Sequence, residues 1–277
     1  MAAAGGRIDA CFRTLRERGE KALIPFLTAG DPDLETTEAL VLAMAEAGAD
    51  IIELGIPFSD PMAEGPTIQR SSARSLAGGT NLRSILELVG RLRGRLDQPL
   101  VLMGYANPLH AMGAENFAKT ASDVGVDGVI IPDLTPEDGK PYLDPIREVG
   151  IDTILLAAPT TRRDRLEMLA NTTQGFLYYV SVQGVTGARA KLGAGIEENV
   201  RLAQSLGPAP VCVGYGVTTP EHCEEIGAFA DGVVVGSAIV DRIEAASRSA
   251  RDAEGAKSIA VEDVGEFIRA LKKPLRR

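Results

Sequence analysis

Short apolar runs recur along the chain and alternate with stretches of helical spacing. Eight of these runs are predicted strands, at 22–28, 50–54, 99–105, 127–133, 152–158, 175–181, 210–216 and 231–237. Between them, apolar residues return three and four positions apart, as Leu40, Met44 and Ala47 do, which is the spacing of one helix face. Runs that barely alternate between apolar and polar residues are typical of parallel strands covered on both faces. The pattern therefore predicts an α/β fold with a parallel sheet.

A weak internal repeat marks the joints between helices and strands. The segments EAGADIIEL, DVGVDGVII, EVGIDTILL and EIGAFADGVVV each place a glycine and an aspartate between a helix end and an apolar run. Glycine stops a helix because it adopts the left-handed conformation without strain. Eight βα units between 22 and 237 fit a (β/α)8 TIM barrel, for which ~250 residues is typical. No linker separates two halves, so we predict a single domain over 1–277.

Two further elements lie outside the eight units. Near the N-terminus, Ile8, Phe12 and Leu15 fall on one face of an extra amphipathic helix, which we expect to cover the open bottom of the barrel. The segment 261–273 has the pattern of a closing outer helix. The polar segment 244–258 is predicted to be an exposed connection or a frayed helix.

A glutamate interrupts the second apolar run. Strand alternation places Ile51 and Glu53 on one face and Ile52 on the other, so the carboxyl group is expected to project into the barrel mouth, where TIM barrels carry their chemistry. Burial there raises a carboxyl pKa toward the range useful for acid–base catalysis. A Lys or Arg partner is the alternative, but none of the other seven runs contains one. We therefore favour a catalytic role for Glu53.

The loop after the second strand, 55–69, exceeds the ~2–6 residues usual for a βα connection, and such length is typical of lids and binding loops. It carries Asp60 and Glu64. Loop carboxylates are most often solvated, but this loop follows the strand that carries Glu53. We therefore expect one of the two acids to reach the same pocket.

Glycine-rich loops follow the last three strands. After the seventh and eighth strands stand Gly214, Gly216, Gly236 and Ser237. The loop after the sixth strand adds Gly184, Thr186 and Gly187. Backbone amides at helix N-termini bind anions, and the loops after strands seven and eight are a frequent phosphate site of TIM barrels. This pattern predicts that a phosphate group binds there.

Composition narrows the choice of function. The net charge of −9 argues against a nucleic-acid surface, which needs a basic face. Three cysteines without metal-type spacing and only two histidines favour neither disulfides nor zinc, and we expect a soluble protein of the reducing cytoplasm. No strand run carries the lysine of a Schiff-base barrel. Together these features favour proton transfer by carboxylates on a phosphorylated small molecule.

Six motifs together resemble the tryptophan synthase alpha chain family. They are PFLTAGDPD, ELGIPFSDPMAEGPTIQ, GVDGVIIPDLTPED, VSVQGVTGAR, VGYGV and ADGVVVGSAIV, and they span Ala22 to about Leu271 in the family's order. The resemblance implies a carbon–carbon lyase of tryptophan biosynthesis. Its reaction is the retro-aldol cleavage of indole-3-glycerol phosphate to indole and glyceraldehyde 3-phosphate, with no cofactor in this chain.

The resemblance also assigns roles to residues. Glu53 is the implied general acid and base, and Glu64 is the acid beside the indole nitrogen. Positions beside the substrate are Phe26, Tyr105 and Tyr178; phosphate-binding positions are Gly187, Gly216, Gly236 and Ser237; Thr186 orders the loops over the substrate. The family pattern has Asp where this chain has Glu64, one methylene longer, which can exceed the ~0.5 Å tolerance of a preorganised site.

A partner is implied as well, the tryptophan synthase beta chain with its pyridoxal phosphate, in an alpha2beta2 tetramer. Asp60 and the segment Tyr105 to Leu109 match partner-facing regions. Three alternatives stay open: a free-standing lyase that releases indole, a sugar-phosphate isomerase or aldolase on the same fold, and a non-catalytic phosphate-binding barrel that regulates the beta chain. Glu53 followed by the acidic loop favours the lyase.

Overall fold

A computed structural model describes residues 6–180, 195–214 and 216–276. Within these ranges, eight strands form a closed barrel in chain order, and neighbouring strands are parallel. The strands are β1 (Ala22–Thr28), β2 (Ile52–Gly55), β3 (Leu100–Met103), β4 (Gly128–Ile130), β5 (Asp152–Ala157), β6 (Leu177–Val180), β7 (Val211–Gly214) and β8 (Gly232–Val235). The predicted (β/α)8 TIM barrel is confirmed. That 1–277 forms a single domain stays a prediction.

Strand side chains alternate between two apolar layers. Ile51 packs with Ile24 and Val101 in a cluster inside the barrel. Ile52 and Leu54 pack in a larger cluster between the barrel and the surrounding helices. Because both faces of each strand are buried, polar residues have no regular place in the runs, which explains why the runs barely alternate.

Helices surround the barrel. They are α1 (Arg7–Arg18), α2 (Leu34–Ala47), α3 (Pro66–Ala77), α4 (Leu82–Arg93), α5 (Ala106–Met112), α6 (Ala114–Val124), α7 (Lys140–Glu148), α8 (Arg163–Thr172), α9 (Ile196–Leu206), α10 (Pro220–Gly227), α11 (Ser237–Ser249) and α12 (Ala253–Lys272), followed by a short 3-10 helix, Lys273–Arg276. Two connections hold a pair of helices each, α3 and α4 after β2, and α5 and α6 after β3. In the first of these pairs, the N-terminus of α3 directly follows the loop that carries Asp60 and Glu64.

The N-terminal helix α1 closes the bottom of the barrel, as predicted. Its apolar face, Ile8, Phe12 and Leu15, is buried in the interior cluster. The ring centroid of Phe12 lies 6.0 Å from that of Phe176, which directly precedes β6. Helix α1 thereby keeps water from the barrel interior at the N-terminal ends of the strands. The C-terminal ends of the strands are the place where TIM barrels carry their active sites.

The prediction of an exposed connection or frayed helix at 244–258 is confirmed for the middle of the segment, where 247–249 and 251–254 are exposed, and wrong for its two ends, which are helical and partly buried. Helix α11 continues to Ser249, and α12 begins at Ala253 rather than at 261. Glu244 is only 8% exposed and Ala246 only 3%. The polar composition misled because arginines of α3 neutralise the Glu244 carboxylate, and composition does not reveal a tertiary ion pair.

The aspartates of the internal repeat clamp neighbouring strands together. Three of them accept a hydrogen bond from the backbone N–H near the start of the preceding strand: Asp50 from Leu23 (2.7 Å), Asp127 from Leu100 (2.8 Å) and Asp231 from Val211 (2.9 Å). The fourth, Asp152, has a buried Oδ2 without a hydrogen-bond partner among the described residues. The repeat therefore encodes strand-to-strand bonds as well as helix ends.

No helix in the described ranges combines the length and apolar character needed to cross a membrane. In that part of the chain, His, Cys, Asp and Glu side chains form no group of three that could hold a metal ion. The thiols of Cys11, Cys212 and Cys223 are free.

Candidate active site

A cavity of about 150 Å³ lies at the carboxyl ends of the strands. Its lining residues are Phe26, Glu53, Glu64, Gly65, Ile68, Met103, Tyr178, Gly216, Val217, Thr218, Val234, Gly236 and Ser237. The structure thus brings together two carboxyl groups, two aromatic rings and glycine backbone from loops that are far apart in the sequence. A pocket with an apolar wall and a few convergent polar groups is what a small-molecule site requires.

Glu53 lies in the middle of this cavity wall. In β2 its Cα pairs with Phe26 of β1 and Val101 of β3. The residue is 1% exposed, and its Oε2 has no hydrogen-bond partner among the described residues. Burial, and next the charge of Glu64, raise the pKa of Glu53 to about 8. The carboxyl group is therefore mostly protonated at neutral pH and can donate a proton to a bound molecule.

The second carboxyl group comes from the loop between β2 and α3. Glu64 is partly exposed and lines the cavity, and burial raises its pKa to about 7. Asp60 is exposed and is not among the lining residues. Of the two loop acids considered from the sequence, Glu64 is the one that reaches the pocket, and it ionises at a lower pH than Glu53.

Aromatic side chains flank the acids. Phe26 and Tyr178 are 7% and 5% exposed and both line the cavity. The Tyr178 ring lies over Gly214, where a Cβ atom would stand 2.5 Å from the phenol oxygen. Gly214 therefore leaves room for this ring, a different role from the anion-binding amide predicted for it. Together the two rings give the cavity an aromatic surface that suits an aromatic ligand.

Tyr105 lies in an adjoining compartment rather than in the cavity itself. That compartment shares Phe26, Glu64 and Met103 with the main cavity. The Tyr105 hydroxyl accepts a hydrogen bond from the backbone N–H of Ala63 at 2.9 Å. The structure therefore places Tyr105 behind Glu64, where it fixes the residue that precedes this acid.

The end of the cavity next to the N-terminus of α11 has the geometry of an anion site. Gly216 has a φ of 79°, a conformation that favours glycine. Helix α11 starts at Ser237 without a side-chain cap. The N–H groups of Ile239 and Val240 bond to the Gly236 carbonyl, so the first helical N–H groups have no intrahelical acceptor. These donors and the helix dipole favour a phosphate group at this end.

Some predicted residues cannot be placed, and some lining residues were missed. Gly184, Thr186 and Gly187 lie outside the described residues. The missed residues are Gly65, Ile68, Met103, Val217, Thr218 and Val234. Their residue types do not indicate catalysis or binding. Most of them lie at a strand end or beside a glycine-rich loop, so their position along the chain is the feature that could have identified them.

Comparisons with known proteins agree on one family. A family model described as tryptophan synthase alpha chain matches residues 12–270. The tryptophan synthase alpha chain of Geobacter sp. (strain M21) is 49% identical over 267 residues, which cover 96% of this chain and 97% of that protein. That of Phenylobacterium zucineum (strain HLK1) is 46% identical over 268 residues, covering 96% and 97%.

A solved structure gives the same result. Tryptophan synthase subunit alpha from Legionella pneumophila str. Paris superposes with a TM-score of 0.89 at 35% identity, covering 98% of this chain and 99% of that one. The range 12–270 matched by the family model includes every residue that lines the cavity. The chain therefore belongs to the tryptophan synthase alpha chain family.

Proposed function

We propose that this chain cleaves indole-3-glycerol phosphate to indole and glyceraldehyde 3-phosphate by carboxylate acid–base catalysis. The observation that carries the proposal is the buried Glu53 carboxyl, with a pKa near 8, in a cavity that ends at the N-terminus of α11. The proposal places the indole ring against Phe26 and Tyr178 and the phosphate at the backbone of Gly236 and Ser237, all of which line the cavity. Family membership supports the same substrate.

The reaction needs one proton donated and one removed. A proton from the Glu53 carboxyl adds to indole C3, which turns the ring into an indolenine with positive character at nitrogen. The resulting Glu53 carboxylate takes the proton of the hydroxyl group on the carbon attached to C3. That carbon becomes the aldehyde, the C–C bond breaks, and its electron pair restores the indole ring. Glu53 ends protonated, so no external acid or base is consumed.

Glu64 is proposed to stabilise the positive charge that develops at the ring nitrogen. This role needs an ionised carboxylate, whereas Glu53 needs a protonated one. Since the pKa of Glu64 is about 7 and that of Glu53 about 8, the required pair is favoured between these two pH values. The longer side chain, compared with the Asp of the family pattern, is compatible with the role because Glu64 lines the cavity.

Binding of the phosphate is proposed to use Gly216, Gly236 and Ser237. Thr186 and Gly187 are proposed to complete that end and to order the loops over the substrate. The backbone of the acidic loop is held at the other end by Tyr105. A substrate anchored in this way keeps its reacting carbon next to Glu53, which converts binding energy into orientation.

We further propose that this chain acts with a tryptophan synthase beta chain in an alpha2beta2 tetramer. Pyridoxal phosphate belongs to that partner, and the alpha-chain reaction above uses none. Asp60 is exposed, and Met62 is 79% exposed although it is a large apolar residue, as expected of a loop that a partner covers. The cytoplasm is the proposed location.

The test is an assay of the purified chain with indole-3-glycerol phosphate, with and without a beta chain. Glyceraldehyde 3-phosphate is followed through a coupled dehydrogenase. We expect cleavage that rises when the beta chain is added. Cleavage unaffected by the beta chain would indicate a free-standing lyase, and no cleavage under either condition would refute the proposed function.

A further inference from the structure

Two helices begin at residues beside the cavity. Helix α3 starts at Pro66, directly after Glu64 and Gly65, and α11 starts at Ser237. Glu64 and Ser237 both line the cavity. The offset between α3 and α11 therefore sets the separation between the loop carboxylate and the proposed phosphate site.

A row of polar contacts joins these helices along their length. Thr67, in the first turn of α3, donates a hydrogen bond at 3.0 Å to Asp241, which lies one turn into α11. Further along, Arg70 donates to Glu244 at 2.9 Å, and Arg74 lies 3.4 Å from the same carboxylate. Residues three and four apart share one helix face. Each helix therefore presents a continuous polar stripe to the other.

Glu244 is the centre of this row. Its Oε2 accepts from both Nε and Nη2 of Arg70, at 3.3 and 2.9 Å, and its Oε1 faces Arg74 and Arg248. The Glu244 side chain is 10% exposed, whereas that of Arg70 is 49% exposed. A charge-assisted contact on a mostly buried carboxylate is stronger and better defined than an ordinary surface pair.

The arginine side of the row is anchored on the barrel. Arg74 donates two hydrogen bonds to Asp31, at 2.8 and 2.7 Å, and Asp31 is 2% exposed beyond the end of β1. On the inner face of α3, the Ser71 and Thr28 hydroxyl groups lie 2.6 Å apart, and Ser75 donates to the Ala29 carbonyl at 2.6 Å. Helix α3 is thus fixed to β1, and Glu244 fixes α11 to α3.

We propose that Glu244 is a positioning residue for the cleavage reaction. It holds α11 at a fixed offset from α3, so that a substrate anchored by its phosphate presents its ring to Glu53 and Glu64. This inference rests on the proposed function. A misplacement of ~1 Å can cost up to ~100-fold in rate. Glu244→Gln keeps the shape but loses the charge, so we expect kcat to fall about tenfold.

The phosphate site itself is made by the backbone of α11 and of the loop before α10. Binding of glycerol 3-phosphate, which has the phosphate but no ring, is therefore expected to change less than twofold in Glu244→Gln. A merely structural role predicts the opposite pattern, a lower melting temperature with kcat unchanged. The split between kcat and the glycerol 3-phosphate inhibition constant separates the two roles.

The experiment compares wild type, Glu244→Gln, Arg70→Gln and Arg248→Gln in indole-3-glycerol phosphate cleavage. Arg248 contacts Glu244 from within α11 and does not reach α3, so Arg248→Gln is the matched control and should keep kcat within twofold. Arg70→Gln removes the Arg70–Glu244 contact by changing its half-exposed partner, and it should lower kcat about tenfold. The double variant Glu244→Gln/Arg70→Gln should lose less kcat than the product of the two single losses, because both changes break the Arg70–Glu244 contact.

Each outcome has one meaning. Wild type without cleavage activity refutes the proposed function. Active wild type with Glu244→Gln at the wild-type kcat refutes only the positioning role. If Glu244→Gln does not fold, Arg70→Gln decides, and a wild-type kcat in that variant refutes the positioning role. An equal loss of kcat in Arg248→Gln would also refute it, because the contact between the helices would then be irrelevant.

Discussion

The buried acid at the centre of the cavity should make the fold less stable as the pH rises. Glu53 has an ordinary pKa of 4.5 in the unfolded chain and a pKa of about 8 in the folded protein. Between these values the folded state holds a proton that the unfolded state releases. The free energy of unfolding is therefore greatest below pH 4.5, falls as the pH rises, and levels off above a pH of about 8. Glu53→Met, which fills a similar volume without a charge, removes this loss.

The size of the effect follows from the two pKa values. Each pH unit in the window changes the free energy of unfolding by about 1.4 kcal/mol. The cost of Glu53 is then about 3 kcal/mol at pH 7 and about 5 kcal/mol above pH 8, and it is below about 1 kcal/mol at pH 5. Glu64, with its pKa also raised, contributes with the same sign in both proteins, so it largely cancels from the difference. Phe26 and Met103 offer the new side chain apolar contacts in the cavity wall.

Urea unfolding at pH 5, 7 and 9 measures the difference. We expect Glu53→Met to match wild type at pH 5 and to gain about 3 kcal/mol at pH 7 and about 5 kcal/mol at pH 9. Glu87→Met, on the exposed side of α4, is the control and should stay within about 0.5 kcal/mol throughout. A Glu53→Met advantage that does not grow between pH 5 and pH 9 would refute an uncompensated carboxyl group at this position.

Three further changes test other parts of the account. Asp127→Ala leaves the buried N–H of Leu100 without its acceptor and should lower the free energy of unfolding in urea by about 3 kcal/mol; a loss below about 1 kcal/mol would contradict the clamp. Ser237→Asp places a negative charge at the proposed phosphate site and should raise KM at least about 100-fold in steady-state kinetics, whereas an unchanged KM would place the phosphate elsewhere. Tyr105→Phe removes the acceptor of the Ala63 N–H and should lower kcat about fivefold, with wild-type kcat as the contradicting result.

The barrel could be predicted because its determinants are local. Eight unalternating runs, each followed by a helical pattern, specify a parallel sheet whatever their tertiary partners are. Glu53 could be found for the same reason, since a charge inside such a run contradicts its surroundings and marks a functional position. Strand alternation then predicted the direction of the Glu53 side chain, because Ile51, two positions earlier, lies inside the barrel and Ile52 lies outside it.

Features that depend on tertiary contacts could not be predicted. The burial of Glu244 in the 244–258 segment was not predicted, because polar composition does not show that Arg70 and Arg74 contact this carboxylate. The roles of Gly214, which accommodates the Tyr178 ring, and of Tyr105, which lies behind Glu64, depend on which side chain arrives from another strand or loop. The apolar lining was missed because its residue types are the same as those of the core.

In the proposed mechanism, Glu53 transfers both protons of the cleavage reaction. This role is tested by kcat for indole-3-glycerol phosphate in Glu53→Gln, which keeps the shape of the side chain but cannot exchange a proton. We predict a loss of about a thousandfold, with KM within about threefold because the ring and phosphate contacts remain. A kcat within tenfold of wild type would contradict the claim.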